Sequence, residues 1–370
     1  MPPTDLNPMP ETGRRRRSRS PLPWMASIAV VIALVGAAGV LRAADARTDD
    51  IERIGGLESV LADIPGDDPS IQYPAENYLL VGSDTREGAD PSSPDSAAIG
   101  TEADVGTTRR SDTIMVLRQE RNGGAALMSL PRDLWVEIAG TGQSQRINTA
   151  YNDGPERLAA TVSESLGIPI HHYVEVDFFG FKQIIDDLGG VEVCVGYGAR
   201  DANSGLQINP GCQVLDGVQA LAFARSRSYE QWDGTDWVED PRADLGRIER
   251  QQLFMRAAVD GALRKLRSSP FGSGDVIGAV VDSVRIDDRL DPIKAGEALR
   301  QAAEEGLRTY RLPVYDDTVG DAAVLRLADD AQAVLRYFRG EGPAPADYET
   351  GVTESALDDP ATDVSVDSDT

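Results

Sequence analysis

The chain has 370 residues, a formal net charge of -25 and a pI near 4.4, with 41% hydrophobic and 26% charged residues. That length would allow two domains, and the composition excludes a disordered or fibrous chain in favour of an α/β body with a sizeable core. So acidic a chain also argues against nucleic acid as a partner, because a polyanion is repelled.

Residues 1–23 form a polar, proline-containing leader with the basic run Arg14, Arg15, Arg16 and Arg17, and Arg19 just after it. From Trp24 to Leu41 no residue is charged, and those 18 residues would measure roughly 27 Å as a helix, enough to cross a bilayer. Arginines before it and Asp45, Asp49 and Asp50 after it place the N-terminus in the cytoplasm and the body outside, anchored in the cell membrane by one helix. A cleaved signal peptide is the alternative, since Ala44, Asp45 and Ala46 loosely match a processing site. Residues 42–73 read as an extracytoplasmic linker with one amphipathic piece, in which Ile51, Ile54, Leu57, Val60, Leu61 and Ile64 recur at helical spacing.

The body, residues 74–340, begins with NYLLVGSD from Asn77, a continuous apolar run of the kind buried on both faces of a covered sheet. A polar stretch over 87–108 reads as a loop, and two further strands follow in SDTIMVLR (111–118) and AALMSLPRDLWVEI (125–138). Residues 155–166 predict an amphipathic helix opened by proline. HHYVEVDF predicts a strand, FGFKQIIDDLGG a helix stopped by glycine, and VEVCV another strand. Residues 198–213 read as a loop. The two cysteines, Cys194 and Cys212, both fall in the exported part, where an even count argues for a disulfide, with two buried thiols as the alternative. No cysteine or histidine spacing suggests zinc.

A short helix in LDGVQALAFARSRS leads into the stretch 225–252, which concentrates Arg225, Arg227, Arg242, Arg247 and Arg250. Read as a strand, it puts Arg225 and Arg227 on one face. A helix from about Ala243 puts Asp244, Arg247 and Gln251 in one polar stripe beside Leu245, Ile248, Met255 and Val259. Guanidinium forks match phosphate oxygens in shape and charge, although a solvated helix with ordinary ion pairs fits this segment equally well. Arg242 and Arg250 lie outside the stripe and read as surface residues. A weaker α/β region runs from Val276 to Phe338, with a helix near 292–306, and residues 341–370, with nine acids and no base, read as a disordered tail.

The polar residues at strand ends need one explanation. Asp84 and Arg86 stand in GSDTR, Arg110 and Asp112 in RRSDT, Arg132 in SLPRD, and Arg146 and Asn148 in RINTAY. Two carboxylates among arginines, without histidine, suggest a divalent metal holding phosphate oxygens, and magnesium prefers a carboxylate or two plus substrate phosphate. Each acid could instead cap a turn, Arg132 could pair with Asp133, Asp244 could serve as a first-turn acid, and His171 and His172 read as structural or exposed.

In this order the motifs GSDTR, RSDT, LPRD, INTAY, DFFGF, GGVEVCV, LDGxQALAFARSR and DLGRIxRQQ resemble the LytR-CpsA-Psr family, in its actinobacterial form, from about Asn77 to Phe338. The resemblance implies an α/β/α sandwich with a central mixed sheet. It implies a magnesium-dependent phosphotransferase that moves a phosphoglycan from a polyprenyl-pyrophosphate-linked donor to a peptidoglycan hydroxyl in wall assembly; arabinogalactan is one polymer it could serve. Asp84 and Asp112 would then hold Mg2+. Arg110, Arg132, Arg225, Arg227 and Arg247 would hold the pyrophosphate, with Asp244 and Gln251 as polar partners on the same helix. Arg86, Arg146 and Asn148 would touch substrate, Arg146 standing where the family often has lysine. Asp244 and Asp112 are the candidates for general base. The same site would also suit a polyprenyl-pyrophosphate hydrolase or a non-catalytic polyprenyl-phosphate-binding regulator.

Overall fold

The computed structural model describes residues 51–64, 75–83, 111–120, 124–226, 228–240, 283–292 and 307–348, with 250, 253, 254, 257, 258, 261 and 295; Asp112 is described in its backbone only. The leader, the expected membrane span, most of the linker, and the residues Asp84, Arg86, Arg110, Arg227, Arg242, Asp244, Arg247 and Gln251 lie outside that set.

In chain order the elements are β1 (Glu52–Ile54), β2 (Ala75–Ser83), β3 (Ser111–Glu120), β4 (Ala125–Leu130), β5 (Trp135–Ile138), β6 (Gln143–Arg146), a 3-10 turn (Ile147–Asp153) and α1 (Pro155–Leu166). β7 (His172–Val176), α2 (Phe178–Leu188), β8 (Val191–Val195), β9 (Ala199–Asp201), β10 (Leu206–Ile208), β11 (Gly211–Leu215) and α3 (Gly217–Arg225) follow. The rest are β12 (Glu230–Trp232), β13 (Trp237–Glu239), β14 (Val284–Asp287), β15 (Leu307–Arg311), β16 (Val314–Val319), β17 (Ala322–Leu327) and α4 (Ala331–Phe338).

A mixed seven-stranded sheet in the order β1-β14-β7-β2-β3-β4-β15 runs through the middle. Side chains alternate along its central strands, so Tyr78, Leu80, Met115 and Leu117 face one apolar layer and Leu79, Val81, Ile114 and Val116 the other. The first layer takes Ile184, Ile185 and Leu188 of α2 and Ala220 and Phe223 of α3; the second takes Leu158 and Val162 of α1 and Val334 and Leu335 of α4. Both faces being covered explains why the central strands read as unbroken apolar runs.

Strand directions decide where the chain's polar turns collect. β2 runs parallel to β7 and antiparallel to β3, β3 antiparallel to β4, and β7 antiparallel to β14. The C-terminal ends of β2, β4 and β7 therefore share one end of the sheet with the N-terminal end of β3.

Several elements differ from the sequence reading. Residues 51–61, expected to be a linker with a helical piece, supply edge strand β1, paired in parallel with β14, and bury Ile51, Ile54, Leu57 and Leu61. Spacing of i, i+3 also fits a strand followed by turns, and the sheet edge takes that option. Residues 198–213 are not a simple loop: β9 and β10 belong to a separate four-stranded sheet, β10-β9-β12-β13, and β11 pairs with β8. Cys194 and Cys212 face each other directly in the β8/β11 register, Cα to Cα 3.9 Å, and are disulfide-bonded. Arg225 closes helix α3 and is not on a strand, the next strand beginning only at Glu230. Residues 341–348, expected to belong to the acidic tail, are part of the body: Tyr348 packs on the second layer and its hydroxyl donates to Asp330 at 3.2 Å; residues 349–370 lie outside the described set. Among the described residues, no helix is long and apolar enough to cross a membrane.

Candidate functional site at one end of the central sheet

The neighbouring strands β7, β2 and β4 end where β3 begins, and four of the sequence motifs, DFFGF, GSDTR, LPRD and RSDT, attach to them. Asp84 is joined directly to Ser83, the last residue of β2. Its partner strand carries a bulge: Gly82 pairs with Thr113 and Ser83 with Ser111, which leaves Asp112 as the extra residue of β3. Bulges of this kind commonly re-aim a strand residue beside a functional site. Asp112 thus lies at the end of the sheet where β2, whose last residue precedes Asp84 in sequence, also ends; Asp84 and the Asp112 side chain lie outside the description. Ser111 Oγ and Asn148 Oδ1 are buried there with no hydrogen-bond partner among the described residues. Uncommitted oxygens are the donor type magnesium takes, so the local chemistry fits that ion. Among the described residues no group of three or more His, Cys, Asp or Glu could hold a metal.

On the β4 side, Pro131 ends the strand and Arg132 and Asp133 turn the chain. Asp133 stands between two guanidiniums, with Arg132 Nε at 3.4 Å and Arg146 Nε at 3.2 Å. The alternative pairing of Arg132 with Asp133 is therefore present, and Arg146 shares the same carboxylate. Arg146 also donates from Nη2 to the Ala323 carbonyl at 2.7 Å, which ties it to β17. The Asn148 amide N–H donates to the Arg132 carbonyl at 3.2 Å, so Arg132, Arg146 and Asn148 form one group.

On the β7 side, Asp177 caps α2 by accepting from the Gly180 amide at 2.7 Å, and Phe178 opens the helix. α3 lies antiparallel to α2. Its start is fixed by Asp216 and Gln219 in a reciprocal capping box and by the Gly217 amide donating to Asp186 at 2.8 Å. A Cβ on Gly217 would collide with the Lys182 carbonyl, so only glycine permits this approach. Anchored in this way, α3 ends with the Arg225 guanidinium 4.6 Å above the Phe178 ring, a cation-π contact. β7 and β4 are three strand spacings apart, about 14 Å, with β2 and β3 between them.

Arg250 corrects the sequence reading. Expected at the surface, it is 2% exposed, with Nη2 donating to the Ser226 carbonyl at 2.7 Å, Nη1 to Asp240 at 3.1 Å, and its plane 4.2 Å from the Tyr229 ring centre. It shares an inward face with Phe254 and Ala258 at i+4 and i+8, both fully buried. The helix expected to carry Arg247 and Gln251 is thereby fastened beside the segment that carries Arg225. The apolar stripe expected at Leu245, Ile248, Met255 and Val259 lies outside the described residues.

The sequence model of the LytR_cpsA_psr family matches residues 63–337. The chain belongs to that family. It is 34% identical over 259 residues, covering 70% of this chain, to the probable cell wall biosynthesis protein LcpB of Corynebacterium glutamicum, an actinobacterial relative as expected. It is 37% identical over 202 residues, covering 53% of this chain, to the polyisoprenyl-teichoic acid–peptidoglycan teichoic acid transferase TagU of Bacillus mycoides. The chain spans less than two thirds of the length of these curated relatives, 59% and 62%. In fold it is similar to a LytR-Csp2A-Psr enzyme from Actinomyces oris, with a TM-score of 0.60 and 24% identity over 78% of this chain and 95% of that one.

Within this family member, sequence reasoning missed a polar network beneath the same sheet end. Glu175 of β7 is fully buried and accepts from Tyr151 Oη at 2.6 Å, Tyr173 Oη at 2.9 Å and Arg285 Nη1 at 3.2 Å. Burial, reinforced by the Glu175 charge, raises the Tyr151 and Tyr173 phenols well above their usual range, so both remain proton donors. Tyr151 belongs to the INTAY motif, and Val81, two residues before Ser83, pairs with Glu175. The available signal was one acid inside a five-residue strand buried throughout. His171 and His172 are buried, at 3% and 4% exposure, at the opposite end of the sheet, where they are structural.

Proposed function

We propose that the chain is a membrane-anchored, extracytoplasmic phosphotransferase that moves a phosphoglycan from a polyprenyl-pyrophosphate-linked donor to a peptidoglycan sugar hydroxyl. The observation that carries this reading is the convergence at one sheet end. The attachment points of Asp84 and Asp112 lie centrally, with Arg132, Arg146 and Asn148 on the β4 side and Arg225 on the β7 side. A pyrophosphate diester needs cations on both of its phosphates, and a site divided in this way offers them from two directions. The kinship with proteins named for cell wall biosynthesis and teichoic acid transfer supports the same chemistry.

In this reading Arg225, stacked on Phe178, and Arg132, steadied by Asp133, hold the two phosphates with Arg110, Arg227 and Arg247; Arg86 and Gln251 complete the substrate contacts. Asp84 and Asp112 would hold Mg2+, with Ser111 and Asn148 nearby, and the ion would supply neutralisation of the charge on the leaving phosphate. The acceptor hydroxyl oxygen forms a bond to the sugar-linked phosphorus, the bond from that phosphorus to the bridging oxygen breaks, and polyprenyl phosphate leaves. The hydroxyl proton passes to a nearby carboxylate, Asp112 or Asp244.

The test is incubation of the protein with lipid-linked glycan, peptidoglycan and magnesium. Linked polymer and polyprenyl phosphate are expected, and both should be lost in Arg225→Ala and in Arg132→Ala. Release of free phosphoglycan with or without peptidoglycan would mean hydrolysis, and unaltered donor after long incubation would mean a binding protein. Full ligation by either variant would contradict the site assignment.

A further inference from the structure

We infer that Asp201 and Arg250 are positioning residues that lock the backbone on both sides of Arg227, so that Arg225 and Arg227 are presented in fixed geometry. The inference rests on the proposed role of those two arginines in holding phosphate.

Between α3 and β12 the described residues Ser226, Ser228 and Tyr229 belong to no helix or strand. Their conformation is instead set by two buried charges from distant parts of the chain. Asp201, 1% exposed at the end of β9, uses Oδ2 to accept from Ser226 Oγ at 2.7 Å and from the Ser228 amide at 3.1 Å. Its Oδ1 accepts from the amides of Asn203 and Ser204 at 2.8 and 3.3 Å, which fixes the carboxylate itself. From the other side, Arg250 holds the Ser226 carbonyl while stacking on Tyr229 and pairing with Asp240. The Asp240 amide donates to the Tyr229 carbonyl at 2.7 Å, closing the neck of the β12/β13 hairpin just beyond.

Residues 226 and 228 are therefore held by one carboxylate oxygen, and residue 226 is also held by a guanidinium. Burying two ionised groups is costly and is offset only where hydrogen bonds to them are well formed. A loop between a helix and a small hairpin needs no such device for its own closure. Fixing a side chain that carries charge to a ligand does, because a preorganised guanidinium loses less freedom on binding. The arrangement also explains why Arg250, rather than an apolar residue, occupies the inward face with Phe254 and Ala258. Its fork links the helix expected to carry Arg247 and Gln251 to the segment that carries Arg225 and Arg227, joining the two parts of the β7-side half.

The test is a double-mutant cycle on the full chain in detergent, read as affinity for geranylgeranyl pyrophosphate in magnesium. Asp201→Asn keeps the shape and removes the charge. It is expected to weaken binding about tenfold in the wild-type background and by less than about twofold in the Arg227→Ala background. Ser226→Ala, which deletes only the hydroxyl donor, should follow the same pattern at smaller size and guards against a folding defect in the aspartate variant. Arg250→Lys keeps the charge but cannot fork, so it should fail to restore wild-type affinity. Equal weakening by Asp201→Asn in both backgrounds, with Arg227→Ala itself damaging, would overturn the positioning role alone. Unchanged binding in Arg227→Ala would overturn the phosphate assignment of that arginine, and the positioning role with it.

Discussion

His171 gives the most direct link between this fold and a measurable pH dependence. Its ring is 3% exposed and its Nδ1 accepts the Asn77 amide N–H at 2.8 Å, an arrangement that a proton on Nδ1 would break. Burial, with the nearby charges of His172, Arg289 and Arg118, lowers its pKa from 6.5 to about 4. The native state thus binds fewer protons than the unfolded chain between those values, so stability rises with pH across that window. The contribution is complete above about pH 6.5 and is lost progressively as pH falls to about 4. At roughly 1.36 kcal/mol per unit, the loss comes to about 3 kcal/mol by pH 4. His171→Gln keeps an acceptor for the Asn77 amide and cannot be protonated. Urea unfolding of both proteins from pH 7.5 to 4 isolates the effect, because every other titrating group is common to both. Wild type should lose about 3 kcal/mol more than the variant over that range, with equal m-values. Parallel stability curves would refute the claim that His171 is held neutral by burial.

Two further outcomes follow from the same geometry. Glu175→Gln should destabilise the domain by about 1–3 kcal/mol in chemical denaturation, since three donors lose a charged acceptor, and Glu175→Ala by about 3–5 kcal/mol, because the buried Tyr173 hydroxyl loses its acceptor and Arg285 and Tyr151 are left with Glu52 and Ser83 alone. Replacing both Cys194 and Cys212 with alanine should cost about 3 kcal/mol from the loop it opens, measured as a lowered denaturation midpoint, while donor binding is retained because the disulfide lies in the β8/β11 pair rather than among the site residues.

The sequence revealed most where one physical rule decides the outcome. Unbroken apolar runs at Leu79–Val81 and Ile114–Leu117, short and bounded by turn residues, read as strands covered on both faces and are so, and Pro155 and Gly167 bound α1 at the expected residues because each acts locally on the backbone. It revealed least where partners come from far along the chain. The burial of Arg250 depends on Ser226, 24 residues away in sequence, and on Asp240 and Tyr229 being brought back by a hairpin neck. Asp201 reads as an ordinary turn acid until Ser226 and Ser228 are placed against it. Short strands such as β9 and β10, three residues each, carry too little periodicity to be told from a loop. The site's motifs were legible one by one, and the strand directions bring those attached to β2, β3, β4 and β7 to a common end of the sheet.

The central claim is that one pyrophosphate is gripped from both sides of that sheet end. Affinity for geranylgeranyl pyrophosphate, compared with geranylgeranyl phosphate, should be measured for wild type, Arg132→Ala and Arg225→Ala in magnesium. Each substitution is expected to weaken the pyrophosphate by about tenfold or more and to narrow the preference over the monophosphate. If removing either arginine leaves pyrophosphate affinity unchanged, the two halves do not hold one ligand and the divided site is wrong.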